Sequence, residues 1–373
     1  METNNTKAVT NENANGGTGT KTKTKTKTGV NIKTTVVILN WNGKALMEQY
    51  LPVLIEHTSY PDVSLMVADN ASTDASVEWL QTIYPGIRLL CLDRNYGFAE
   101  GYNRALAGLE SDYLVLLNSD AKVTPNWLPP MIDYLDQHPG VAACQPKILN
   151  LRQPDYFEHA GACGGFIDTL GYPFCRGRIQ DYLEPDQGQY DSICDVFWTS
   201  GACLCIRRED FFAAGGLDGR FFAHMEEIDL CWRLRKRGRR LVCLPQSVIY
   251  HLGGGTLNKD NAHKTFLNFR NNLLMLHKNL PKSRLFGVMV LRLVLDYVAA
   301  LNFLLKGCPK SALAVFRGRL AFWKLRPGFK QDRKNLNTGA EKNIPEIYRG
   351  CIVFDYFLRA KKRYSQLNFN PGK

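Results

Sequence analysis

Apolar residues fall along this chain in short runs that stop at polar turns. The first run, Thr34-Thr-Val-Val-Ile-Leu39, is β-branched and apolar, as suits a strand buried on both faces. It ends at Asn40-Trp-Asn-Gly43, and a helical pattern follows from Lys44 to about His57. Ser64-Leu-Met-Val-Ala68 stops at Asp69-Asn-Ala-Ser-Thr-Asp74, where Ser72 or Thr73 is placed to cap a helix over about 74–82. Ile87-Arg-Leu-Leu-Cys91 leads through Asp93-Arg-Asn-Tyr-Gly97 into a helix ending near Leu109, and Tyr113-Leu-Val-Leu-Leu117 stops at Asn118-Ser-Asp120. Four strands alternating with helices predict an α/β fold, an open and mostly parallel sheet with helices on both faces. Ligands of such sheets bind at the carboxyl ends of the strands. Here those ends carry Asn40, Asn42, Asp69, Asp74, Asn95 and Asp120.

Beyond Pro125 the pattern predicts an amphipathic helix to about His138 and a strand near Val141-Ala-Ala-Cys144. Residues 150–195, rich in Gly, Asp, Tyr and Pro, read as loops or short strands. Phe197–Ile206 reads as a strand, with a helix near Glu209–Ala214 after it, then a helix from the acidic 226–229 knot to Gly238. Arg240–Leu244 and Ser247–His251 read as closing strands. After residue 260 the pattern is helical. Leu285–Leu305 is long and apolar but carries Arg292 and Asp296, one helical turn apart. Two readings stand: an interfacial helix with the basic 306–334 stretch against lipid headgroups, or a helix packed on the catalytic domain. The expected organisation is a disordered tail over 1–33, a catalytic domain over 34–260, a helical region over 261–330 that is open to both readings, membrane-associated or packed, and a basic tail over 331–373.

Composition changes this picture in three places. The first 33 residues include the run Lys21-Thr-Lys-Thr-Lys-Thr-Lys-Thr28, with no apolar core and no secretory signal. The net charge is +12, and residues 306–373 hold sixteen Lys or Arg against four acids, an excess equal to that of the whole chain. Such a segment suits an anionic surface. The cysteines number eleven, none in a Cys-x-x-Cys pair, and read as buried free thiols in a reducing compartment.

Candidate chemistry gathers at few positions. Asp120 ends the fourth strand, with Asn118 two residues before it on the same side of an extended backbone. His251 ends a later strand and precedes Gly253-Gly-Gly255, which lets backbone approach a ligand closely. Asp120 and His251 suit a hard cation such as Mg²⁺ or Mn²⁺ facing a diphosphate. Glu226, Glu227 and Asp229 crowd a helix start, where mutual repulsion raises a carboxyl pKa and suits one glutamate to act as a base. Asp229 also stands one turn before Arg233, the spacing of a structural ion pair.

With these residues assembled, the chain resembles glycosyltransferase family 2, the inverting GT-A enzymes, over about residues 34–255. The motifs that carry it are Val37-Ile-Leu-Asn-Trp-Asn-Gly43, Val67-Ala-Asp-Asn-Ala-Ser-Thr-Asp74, Arg94-Asn-Tyr-Gly-Phe-Ala-Glu-Gly-Tyr-Asn103, Leu116-Leu-Asn-Ser-Asp120, Ser200-Gly-Ala202 and Glu226-Glu-Ile-Asp-Leu-Cys-Trp-Arg233. Each is weak alone; their order and spacing are specific. The likeness runs to the rhamnosyltransferase-like members that build bacterial surface polysaccharides. It implies a GT-A fold and a donor site made by Asn40, Asn42, Asp69, Asn70, Asn95, Gly97 and Asn118, with Asp69 recognising the base. It also implies a metal held by Asp120 and His251, and Glu227 as the base within the set Glu226, Glu227 and Asp229. Two departures stand out. Asn118 replaces the first acid of the family's Asp-x-Asp, and Glu227 is a methylene longer than the usual aspartate.

The resulting expectation is an inverting, metal-dependent transferase that takes a sugar from a nucleotide-diphosphate donor to a saccharide or lipid-linked saccharide acceptor. It is expected in the cytoplasm, peripheral on the inner face of the membrane, and without a nucleic-acid partner. Two other classes were weighed. A dinucleotide oxidoreductase needs a Gly-x-Gly-x-x-Gly turn after the first strand, where Asn40-Trp-Asn-Gly43 stands. A nucleic-acid or membrane binder without transferase activity is prompted by the basic tail and by Arg233–Arg240, yet no nucleic-acid module accompanies those charges.

Overall fold

The structure, a computed structural model, describes residues 32–253, 262–336 and 343–371. The expected 1–33 tail therefore lies almost wholly outside the described residues, as do Gly254 and Gly255.

Three βα steps and a fourth strand open the described chain: β1 (Thr34–Asn40), α1 (Lys44–His57), β2 (Val63–Asp69), α2 (Ser76–Ile83), β3 (Arg88–Cys91), α3 (Gly97–Leu106) and β4 (Tyr113–Leu117). β1 pairs in parallel with both β2 and β4, and β2 with β3. β5 (Ala121–Val123), α4 (Pro129–Gln137) and the ten-residue β6 (Val141–Asn150) follow. The helix after Pro125 thus starts at Pro129, later than expected, with proline in its first turn, where a missing N–H leaves no bond unmade.

Residues 165–183 form four short strands, β7 (Gly165–Asp168), β8 (Pro173–Cys175), β9 (Arg178–Ile179) and β10 (Tyr182–Leu183). Then come β11 (Cys194–Asp195), β12 (Cys203–Arg207), α5 (Arg208–Ala213), α6 (Glu226–Lys236) and β13 (Arg240–His251). The two expected closing strands are one strand, β13, with a break in register between Leu244 and Val248. Helices α7 (Ala262–Asn279), α8 (Lys282–Leu305), α9 (Pro309–Leu325) and α10 (Lys330–Leu336), then β14 (Ile347–Tyr348) and α11 (Ile352–Phe357), complete the chain.

The main sheet runs β11-β13-β6-β12-β4-β1-β2-β3, with β5 on β13. It is mixed: β12 lies antiparallel between β4 and β6 and joins the parallel half to the rest. Side chains alternate across each strand and feed two cores. Val37, Leu114, Leu116, Leu204 and Ile206 enter one core with residues of α3, α6 and α7. Val36, Ile38, Val115, Leu117, Cys203 and Cys205 enter the other with α1 and α4. Cys203 and Cys205 thus share one face as their spacing suggests, and all eleven cysteines are free thiols.

A second sheet, β10-β9-β8-β7-β14, is closed by the C-terminal segment. Asp168 at the end of β7 accepts from the backbone N–H of Leu170, Tyr172 and Ile352, which ties the start of α11 to this sheet. Several basic residues of the last third are structural. Arg333 donates to the carbonyls of His277 and Leu280 at the end of α7, and Arg319 pairs with buried Asp296.

Candidate functional site

The carboxyl ends of β1 and β2 stand side by side, since Asn40 is in register with Asp69. Asn40 is buried, and its Nδ2 donates to Asp69 Oδ1 (2.9 Å) and Ser72 Oγ (3.1 Å). Asp69 also accepts from the N–H and hydroxyl of Ser72. Asn42 has φ +52°, a left-handed conformation that asparagine tolerates. Its Oδ1 accepts from the N–H groups of Thr73 (2.7 Å) and Asp74 (3.3 Å), bracketing the first two loops together. Asp74, rather than Ser72 or Thr73, accepts from Ser76 N–H at the start of α2.

Asn70 links this pair of loops to the third. Its Nδ2 donates to Asn95 Oδ1 and to the Gly97 carbonyl, and its Oδ1 accepts from Tyr96 N–H. Gly97 is glycine for two reasons: φ is +74°, and a Cβ would lie 2.5 Å from the Phe222 ring. All the expected donor-side residues of the first three loops therefore meet in one hydrogen-bonded rim.

Asn118 and Asp120 follow β4, the strand beside β1, and His251 meets them from the end of β13. His251 Nε2 lies 3.0 Å from Asp120 Oδ1 and 3.2 Å from Asn118 Nδ2. Its Nδ1 lies 3.4 Å from Glu158 Oε2, a buried carboxylate in the 150–195 stretch that sequence reasoning missed. Gly253 (φ +63°) leaves room for that carboxylate, since a Cβ there would stand 2.6 Å from Glu158 Oε1. Burial disfavours an imidazolium, but Glu158 and Asp120 outweigh it and push His251 up to about 10. The pocket between the two acids thus calls for positive charge. Among the described residues, no three His, Cys, Asp or Glu side chains form a cage that could hold a metal alone.

The acidic knot sits at the start of α6, reached through a loop in which Phe222, His224 and Met225 all have positive φ. Such residues are disfavoured there, and Asn271 of α7 holds them: its Nδ2 donates to the carbonyls of Phe221, Ala223 and His224. The three acids have separate fates. Asp229 is fully buried and pairs with Arg233 and Lys278 (2.8 Å each) while accepting from Asn279 (2.7 Å). Burial alone would raise its pKa, but Lys278 and Arg233 bring it below the ordinary carboxylate value. The Asp229 carboxylate is so occupied that it ties α6 to α7 through Lys278 and Asn279. Glu226 is buried with Oε2 unpartnered, and burial with the charge of Glu227 pushes its pKa well up. Glu227 is partly exposed, its Oε2 has no partner, and burial raises it to about 7.

A chain of contacts joins Glu227 to the Asp120–His251 pair. The Glu227 Cβ lies 4.0 Å from where a side chain on Gly201 would start. The next residue, Ala202, accepts from Asn118 N–H (3.0 Å), and Asn118 in turn touches His251. Glycine at 201 lets the Phe98 ring approach the backbone, since a Cβ there would stand 3.2 Å from it.

Residues 35–178 match the model of the family described as glycosyl transferase family 2. The N-acetylglucosaminyl-diphospho-decaprenol L-rhamnosyltransferase of Mycobacterium tuberculosis is 30% identical over 250 residues, covering 61% of this chain and 78% of that protein. Rhamnosyltransferase WbbL of Escherichia coli K12 is 25% identical over 207 residues, covering 53% of this chain and 76% of its own. Among solved structures, GalNAc-T7 with UDP, GalNAc and Mn²⁺ superposes with a TM-score of 0.54 at 15% identity, over 67% of this chain and 48% of that one. The chain belongs to glycosyltransferase family 2 and is a glycosyltransferase with a GT-A fold.

Proposed function

We propose that the chain transfers a sugar, with inversion, from a nucleotide-diphosphate donor to a lipid-linked saccharide in cell-surface polysaccharide synthesis. The observation that carries this reading is the linkage, through Gly201, Ala202 and Asn118, of a carboxyl with pKa about 7 to a pair that demands positive charge. Asp120 and His251 Nε2 would hold a divalent cation, Mg²⁺ or Mn²⁺, beside the diphosphate. Glu158 behind Nδ1 orients the imidazole, as carboxylates do behind metal-bound histidines. When bound, the cation supplies charge to the departing nucleoside diphosphate.

The residues of this chain do the rest. The rim of Asn40, Asn42, Asp69, Asn70, Asn95 and Gly97 receives the nucleotide, with Asp69 toward the base and Asn118 near the phosphates. Glu227 accepts the proton of the acceptor hydroxyl as its oxygen attacks the anomeric carbon opposite the leaving group. A group that titrates near 7 is an effective base near neutral pH. Glu226, held neutral beside it, leaves one negative charge on the pair.

The lipid-linked acceptor draws support from the mycobacterial relative, whose name specifies N-acetylglucosaminyl-diphospho-decaprenol. The same likeness supports a cytoplasmic protein peripheral on the inner face of the membrane. The basic run at the end of α6 favours no nucleic acid. Arg233, Arg235, Arg239 and Arg240 are paired with Asp229, Glu346, Asp210 and Asp195. The test is a panel of nucleotide sugars with Mg²⁺ or Mn²⁺ and a lipid-linked acceptor, read as released nucleotide. Release that depends on both cation and acceptor is expected; absence of release with every donor overturns the reading.

A further inference from the structure

The outer surface of α8 and α9 is unlike the rest of the molecule. On α8, Phe286 (81% exposed), Val290, Val294 (56%), Leu301 and Leu305 (79%) recur at helical spacing and share one face. The charges that interrupt this apolar helix lie on its opposite face. Arg292 is buried over the Tyr172 ring, 4.1 Å from its centroid, and donates to the Leu170 carbonyl and to Asn272. Asp296 is buried too, paired with Arg292 and with Arg319 of α9. On α9, Phe316, Leu320 and Trp323 (56%) are exposed, and the Tyr297 and Phe316 rings meet at 5.2 Å, so the two apolar faces join.

Charge says what covers this surface. From Lys282 to Gln331 the only acid is Asp296, which is buried, while Lys306, Lys310, Arg317 and Lys324 are exposed. A second copy docked face to face would set this basic rim against itself. Anionic headgroups complement it, and tryptophan and tyrosine suit the boundary between headgroup and acyl chain. Helix α8 is long and apolar enough to cross a bilayer. Its polar face, however, is packed against α9 and the second sheet through Arg292 and Asp296, so only one side is free for lipid.

We propose that α8 and α9 form a plate that lies in the headgroup layer of an anionic lipid bilayer, apolar face down and basic rim on the phosphates. This deepens the reading of a lipid-linked acceptor and rests on it for its purpose: a plate on the membrane brings the site to an acceptor that cannot leave the bilayer.

The test is sedimentation of the full chain with vesicles of equimolar phosphatidylglycerol and phosphatidylcholine, against vesicles of phosphatidylcholine alone. The wild type is expected to pellet with the anionic vesicles and to be released by salt. The double variant Val294→Asp, Leu301→Asp changes exposed positions, so its unfolding midpoint should match the wild type while its partition falls about tenfold. Lys306→Gln and Lys324→Gln should each weaken binding roughly fivefold, and only to anionic vesicles. The proposal is overturned if the wild type pellets with neither vesicle, or if the double variant pellets as the wild type does. It is equally overturned if the wild type dimerises in solution and the double variant does not, because a second copy then covers the face. No donor is present in this assay. A chain that binds vesicles but transfers no sugar therefore counts against the transferase reading alone, and the reverse result against the plate alone.

Discussion

The strand ends of the parallel half and the start of α6 are both crowded with polar side chains, yet they differ in what those side chains have left over. On the rim of the parallel half, Asn42, Asp69, Asn70 and Asn95 bond to one another and to nearby N–H groups, while Asn40 Oδ1 is buried without a partner. That rim is a scaffold, shaped before any ligand arrives. Across Gly201, Glu226 and Glu227 each keep a buried oxygen without a partner, and Asp120 and Glu158 set negative charge against the two ring nitrogens of His251. Buried groups left unsatisfied are costly, and they persist where chemistry needs them. The rim is held mostly by bonds made within it, whereas the start of α6 keeps two carboxyl oxygens open.

Substitutions on the two sides should break this contrast in different ways. Asp120→Asn removes charge from the reactive side and should lower transfer about a thousandfold, the several kcal/mol that a bound cation contributes. Steady-state rates across a Mn²⁺ titration check it, and an unchanged rate counts against Asp120 as a ligand. Lys278→Met leaves Asp229 and Asp218 short of a partner in the interior. It should cost about 3–5 kcal/mol in denaturant unfolding, because a buried charge loses its counterion. Glu158→Gln frees the back of His251, so metal affinity by calorimetry should drop about 10–100-fold with little change in folding. Asn42→Ala removes a loop bracket from the rim and should cost about 1 kcal/mol in denaturant unfolding, with a raised KM for donor and kcat nearly kept. An unchanged KM would count against Asn42 as part of the donor site.

What could be read in the sequence follows the same division. The first four strands and their Asn and Asp ends are local patterns, the first three each set by a strand, a turn and the helix after it. The Asp229–Arg233 pair was legible for the same reason, being one helical turn. Glu158 was not: it sits in an irregular stretch with no periodicity, and its role exists only because β6 and β13 run side by side. Lys278 and Asn271 are polar positions on a helix, and nothing local says that they face α6 and its strained loop. The pairing of β14 with β7 likewise joins segments distant in sequence. The ambiguity of α8 was of this kind too, since only tertiary packing reveals that Arg292 and Asp296 turn inward.

The most direct test of the account concerns Glu227. Its folded pKa of about 7 is raised above the ordinary glutamate value, so it holds its proton longer in the folded chain than in the unfolded one. Stability should therefore fall as pH climbs from the ordinary value through about 7, while kcat/KM rises over that upper range as the base ionises. Glu227→Gln should remove the activity trend, leave in the stability trend only the part due to Glu226, and lower transfer by about 10²–10⁴, with nucleoside-diphosphate binding in Mn²⁺ unchanged. Wild-type turnover in Glu227→Gln, with the same pH profile, would contradict the assignment.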